Sequence, residues 1–356
     1  MKKERIEFLD AVKATSILLV VFCHFVTLSN ETIIGNFFMS LSWSAVPCFM
    51  MTSGALLHQK QEFLWSKYIR QMLRTYAVLC IWRLIYLLAY YPVIELSYEK
   101  SELMQYIFLF KDLDSVNTGV MWYMIAYMVV MCLYPVTHHL FRNHGRKVLL
   151  FTMNLAFLSG IFIPSASWAA TKLCDNLQLA PVSFGGFQRI LPFSNYGNML
   201  FYFILGASLF EYKDDILSKI KHWILLPVVM IGTLGIMFIK YADTGTFSWA
   251  GTYLLNGYSH ISVMLCSTAM WLAFYRYSSR CRTLYHLLGK YIGQYTMGIY
   301  YLHYIILAVL SVTLYPLIKN KYSFGANCIK TILITTVCVI LTKIIKKIPG
   351  IKILVK

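Results

Sequence analysis

The chain has 356 residues, 58% of them hydrophobic and only 13% charged, and its mean hydropathy is +0.61. A soluble domain carries about a quarter charged residues, so this composition excludes an ordinary water-soluble fold and predicts a protein built in a membrane. The formal net charge of +17 then reads as a topology signal, and no nucleic-acid partner is expected.

Apolar runs long enough to cross about 30 Å of hydrocarbon recur from end to end and leave no room for a sizeable soluble domain. They are too long and too uniformly apolar for barrel strands, so they must be helices that satisfy their own amides. The predicted fold is all-α: a polytopic integral membrane protein, a single domain over 1–356, with about ten transmembrane helices. The spans are expected at 12–28, 37–57, 76–91, 120–137, 148–163, 196–210, 223–239, 255–275, 291–314 and 326–341. The nine cysteines fall mostly inside these runs, with neither a CxxC pair nor a His/Cys metal spacing. They read as small buried hydrophobes, and no metal is expected.

The basic start followed by an apolar run mimics a signal peptide, but Glu7 and Asp10 interrupt it and no small-residue cleavage site follows. It is therefore expected to remain as the first span. His24 stands eleven residues beyond Lys13, which on a helix is roughly 16 Å, in the outer half of the membrane. An imidazole there is a candidate general base, or a neutral group hydrogen-bonded between helices.

Before the third span, Lys67, Arg70 and Arg74 are spaced along one side of a helix, able to grip phosphates or to serve as a topology and lipid-headgroup signal. Arg83 lies about nine residues deeper, where a cation needs a partner or a water-filled cavity. The stretches 92–119 and 164–195 read as long outer loops, functional or merely capping. Trp122 and Tyr123 open the fourth span, where aromatic belts are also expected. His58 and His260 read as structural. In the ninth span Thr296, Tyr300 and His303 follow an i, i+4, i+7 spacing, giving one face a hydroxyl, a phenol and an imidazole; such stripes serve sites or join helices. No internal repeat is evident.

With the amino terminus placed in the cytoplasm, 23 of the 32 Lys and Arg residues fall on the inner segments and the carboxyl-terminal tail. Seven fall on the outer side, and Arg83 and Lys330 lie in spans. This asymmetry predicts that both termini are cytoplasmic.

Together these residues resemble the acyltransferase 3 family, bacterial membrane O-acyltransferases that modify surface glycans. The family's opening pattern stands here as Arg5, Leu9, Asp10, Lys13 and His24; its basic motif as Lys67, Arg70 and Arg74; its aromatic pair as Trp122-Tyr123; and its late motif as the run from Thr296 to His303. The arginines depart from the usual spacing, Arg70 and Arg74 being four apart, and Met121 replaces a histidine often found before the Trp. The resemblance implies ten spans and transfer of an acyl group, acetyl being expected, from cytoplasmic acyl-CoA to a hydroxyl of a cell-surface polysaccharide or its precursor. Partners are then membrane lipid and a carbohydrate acceptor, and the location is the bacterial plasma membrane.

On that reading Lys13, Arg70, Arg74 and Arg83 hold the phosphates of acyl-CoA, His24 is the base, and Tyr300 and His303 orient the acceptor or polarise the thioester carbonyl. Trp122 and Tyr123 contact substrate. An acyl-imidazole intermediate stays open. Two other classes fit the residues alone: a transporter or flippase for a glycan or lipid-linked sugar, and an assembly subunit in which the histidines only pack. The absence of an evident inverted repeat with interrupted helices favours the enzyme.

Overall fold

The computed structural model describes residues 6–24, 32–90, 98–113, 119–143, 145–180, 184, 186, 190–193, 195–247, 249, 257–313 and 323–355. Helices dominate the described residues, as the composition predicts. The first is α1 (Glu7–Cys23), with Glu7 and Asp10 in its first turn, where carboxylates complement the helix dipole. The predicted second span is two helices, α2 (Ile33–Ser42) and α3 (Ala45–His58), broken at Trp43 and Ser44. The hydroxyls of Ser42 and Ser44 donate back to the Met39 and Leu41 carbonyls, each at 2.6 Å, in competition with the helical ladder. Thr32 caps α2 by accepting from the Gly35 amide at 3.1 Å.

The third span belongs to α4 (Trp65–Tyr90) and the fourth to α6 (Trp122–Arg142). Between them the expected outer loop contains a helix, α5 (Lys100–Leu109), started by a reciprocal Glu99–Glu102 capping box. The fifth also departs from expectation. Helix α7 (Arg146–Phe157) passes through a π-helical turn at Leu158–Phe162 straight into α8 (Ile163–Asn176), so the helix continues well past the predicted end at residue 163. Pro164 explains both facts: in the sequence it reads as a stop, yet at the first turn of α8 its missing N–H is tolerated, and the wide turn before it makes the room. Trp168 and Lys172 on α8 bind Asp243 at 2.8 and 3.2 Å, tying the extension down.

The remaining helices are α9 (Gly197–Lys219), α10 (Leu225–Thr244), α11 (Ile261–Arg276), the short α12 (Arg282–Tyr291), α13 (Thr296–Thr313) and α14 (Phe324–Lys347), followed by a 3-10 turn at Ile351–Val355. Among the described residues, seven helical stretches are long and apolar enough to cross a membrane: Ile33–His58, Trp65–Ala89, Trp122–Arg142, Arg146–Asn176, Leu225–Thr244, Arg282–Thr313 and Phe324–Lys347. Helices α1, α9 and α11 coincide with three further predicted spans, but α1 and α11 are shorter, at 17 and 16 residues, and α9 is absent from that apolar set. The chain is therefore an all-α, multi-pass membrane protein.

Helices α3 and α9 cross with their backbones touching. A Cβ on Gly54 would run into the Phe203 carbonyl, and one on Gly206 into the Met51 backbone. In a bilayer, where lipid is as apolar as leucine, such close packing holds helices together. His58 closes the same region, its two ring nitrogens bonded to the Gly54 carbonyl (2.9 Å) and the Thr137 hydroxyl (3.1 Å). Of the cysteines, Cys48, Cys80, Cys174, Cys266 and Cys338 are buried, but Cys132 is exposed.

Candidate active site

A cavity of about 730 Å³ lies between α1, the α2–α3 pair, α4, α6 and α13, within the usual size range of a ligand pocket. Lys13 and His24 both line it, and their separation along α1 makes the cavity roughly 16 Å long in the helix direction. Seven residues singled out from sequence meet there: Lys13, His24, Trp122, Tyr123, Thr296, Tyr300 and His303. The Thr296, Tyr300, His303 stripe is one of its walls, because helical periodicity turns all three inward.

At the far end from Lys13, the His24 and His303 rings lie 5.0 Å apart between centroids, and Tyr304 meets the His24 ring edge-on at 5.3 Å. His303 is 1% exposed. Its Nδ1 contacts the Tyr300 and Ile299 carbonyls at 2.6 and 3.1 Å. Carbonyls only accept, so Nδ1 carries the proton and Nε2 is left with a lone pair. That Nε2 is shielded and has no hydrogen-bond partner among the described residues. Tyr300 donates its hydroxyl to the Val120 carbonyl. In this arrangement neither Tyr300 nor His303 offers a free donor to a carbonyl oxygen; the imidazole can only accept.

The same end carries an aromatic wall. Trp122 stacks on Tyr258 at 5.2 Å, Trp43 leans on Tyr258 at 5.1 Å and on Trp249 at 5.9 Å, and Tyr123 meets the Tyr300 ring at 5.9 Å. At the other end Lys13 is, among the described residues, the one permanently charged member of the lining, accompanied by Gln71, Thr75 and Thr296. Its Nζ is 2.6 Å from Asp10 Oδ1. Asp10 is 8% exposed and lies against α12 and the turn after it, where a Cβ on Gly293 would come 2.7 Å from the Asp10 carbonyl oxygen. The small residues allow α1 to approach closely enough to bury the carboxylate that steers Lys13.

The three arginines are placed differently. Arg70 is exposed, and Arg74 donates to the Ile353 carbonyl at 3.3 Å. Neither lines the cavity; the inward positions on α4 are their neighbours Gln71 and Thr75. Arg83 is fully buried and also outside the lining. It donates to the Tyr106 and Lys111 carbonyls at 2.6 and 2.7 Å and to Asp112 at 3.3 Å, with its guanidinium 4.2 Å from the Tyr106 ring centre. This geometry makes Arg83 the anchor of α5 and the segment after it, in place of the phosphate ligand expected from sequence.

Sequence reasoning passed over Asp10 as a site residue, and Gln71, Thr75, Trp43, Trp249 and Tyr258 altogether. The i, i+4 spacing of Gln71 and Thr75 was a usable signal, hidden by the more conspicuous cations beside them. The aromatics come from separate segments that only the fold brings together.

A cavity holding one steered cation, two adjacent imidazoles and an aromatic wall can bind an anion-bearing ligand at one end and transfer a proton at the other. Comparison with known proteins agrees with that capacity. No curated protein and no solved structure matches the chain. The family described as an acyltransferase domain matches residues 6–345, nearly the whole chain. The chain thus belongs to the acyltransferase 3 family, and is a membrane acyltransferase.

Proposed function

We propose that the protein is an O-acyltransferase of the bacterial plasma membrane that moves an acyl group, acetyl in the first instance, from cytoplasmic acyl-CoA to a hydroxyl of a cell-surface carbohydrate or its precursor. The observation that carries this reading is the single cavity joining Lys13 to the His24–His303 pair. The pantetheine arm of CoA has about twelve bonds between its phosphate and its sulfur, roughly four peptide lengths or 14 Å. That matches the roughly 16 Å from Lys13 to His24. A phosphate at Lys13 therefore brings the thioester to the imidazoles, while Gln71, Thr75 and Thr296 offer neutral polar groups to the arm's amides. The nucleotide end stays outside, within reach of Arg70 and Arg74.

Ten spans with both termini cytoplasmic, as the charge count favours, would open the Lys13 end toward the cytoplasm and the aromatic end outward. A sugar then reaches His24 past Trp43, Trp122 and Tyr258, whose ring faces suit the apolar face of a pyranose. As the sugar oxygen attacks the thioester carbonyl carbon, its proton passes to the His24 ring. The C–S bond then breaks, and the imidazolium returns the proton to the departing thiolate, leaving an ester and free CoA. His303 positions His24: rotation of the His24 ring brings an N–H toward the Nε2 lone pair, which steadies the imidazolium as it forms.

The test is calorimetric titration of the purified chain with CoA. Saturable binding, weakened by Lys13→Met and by Gln71→Ala with Thr75→Ala, is the expected result. Wild-type protein that binds no CoA, or variants that bind it unchanged, would overturn the assignment of the donor end.

A further inference from the structure

A second pocket, of about 560 Å³, lies between the approach to α4 and the last turns of α6, and shares no lining residue with the first. Gln61, Phe63 and Trp65 form one side, and His138, Arg142 and Asn143 the other. His138 fixes the two sides together by donating Nε2–H to the Lys60 carbonyl at 2.8 Å. Arg142 is half-buried, and its Nε is shielded without an acceptor among the described residues. Its guanidinium carbon lies 5.9 Å from the Phe141 ring centre. The neighbouring Glu62 is exposed, and no carboxylate belongs to the lining. A guanidinium partly removed from water with no counter-charge is costly, so the pocket favours an anion.

The depth of the pocket selects the anion. Helix α6 is apolar enough to span a membrane and ends at Arg142, which puts the guanidinium at the boundary of the hydrocarbon layer. Leu64, Trp65 and Val136 around the pocket are exposed, Trp65 by 61% and Val136 by 57%, as surfaces in contact with acyl chains would be. A phosphodiester with chains attached occupies this boundary. A zwitterionic headgroup would also bring an ammonium, for which the lining has no carboxylate, whereas Gln61 and the Asn143 side-chain carbonyl can bond the hydroxyls of a glycerol headgroup, the Asn143 Nδ2 being bonded to the ring of the lining residue His139 at 2.8 Å. We propose that this pocket binds the headgroup of an anionic phospholipid, phosphatidylglycerol being the probe of choice. The proposal is independent of the acyl-transfer reading.

Native mass spectrometry of the full-length chain, released from detergent in the presence of phosphatidylglycerol or phosphatidylcholine, tests it. Wild-type protein should retain one phosphatidylglycerol at least about fivefold more strongly than phosphatidylcholine, the discrimination expected of one interfacial cation. Arg142→Gln should abolish that preference, Arg142→Lys should keep part of it, and Arg280→Gln, outside the pocket, should keep it all. Equal retention of the two lipids by wild type would overturn the proposal without recourse to any variant, as would an unchanged preference in Arg142→Gln. Displacement of phosphatidylglycerol by millimolar inorganic phosphate would reassign the pocket to a free anion.

Discussion

His303 shows how much one residue's surroundings decide about its chemistry. The sequence puts an imidazole on the polar face of a helix; the backbone carbonyls of Ile299 and Tyr300 then claim Nδ1 and leave Nε2 as a buried acceptor. His303→Phe, which keeps a ring and removes the lone pair, is expected to lower kcat by about 10² with little change in donor KM, whereas Lys13→Met should raise donor KM with a smaller effect on kcat; steady-state kinetics separate the two. Arg83 was legible as a buried cation in need of a partner, but its partners lie on a later segment, and no local spacing could name them. With Asp112 largely exposed, most of the value of Arg83 comes from its carbonyl bonds rather than the ion pair. Arg83→Ala should cost about 2–4 kcal/mol, counting charged hydrogen bonds at ~1.5–3 kcal/mol each with partial relaxation. Thermal unfolding in detergent would register that loss, and the surviving protein should bind CoA as wild type does.

Helix positions were legible wherever an apolar run and its flanking charges agreed, as for α6 and α14. They were not where a local rule met a tertiary exception. Ser42 and Ser44 broke a run that hydropathy reads as one span, and Pro164 opened a new helical segment instead of closing one. The glycines of α3 and α9 carried no signal at all, because their purpose is an approach of two backbones distant in sequence. Gly206→Leu should force the crossing apart and cost about 1–3 kcal/mol or prevent folding. Gly325→Ala, at a position with open space around the missing Cβ, should unfold at the wild-type temperature or slightly above. Equal midpoints for Gly206→Leu and wild type would mean that the crossing does not hold the helices together.

For the whole molecule, composition alone established the membrane, and the motifs established the family that covers residues 6–345. What the sequence could not supply was the cavity, which exists because α1, α4, α6 and α13 stand around a common space and turn one face each toward it. That arrangement unites a cation and two imidazoles that the chain separates by up to 290 residues. The most direct test of the account is the base-labile ester content of surface glycan, read by mass spectrometry, in a host that lacks the activity and carries either the wild-type chain or His24→Ala at equal membrane abundance. The wild type should add an acyl increment, and the variant should reduce it by about 10² or more. Full ester content in His24→Ala at matched abundance would contradict the assignment of His24 as the base.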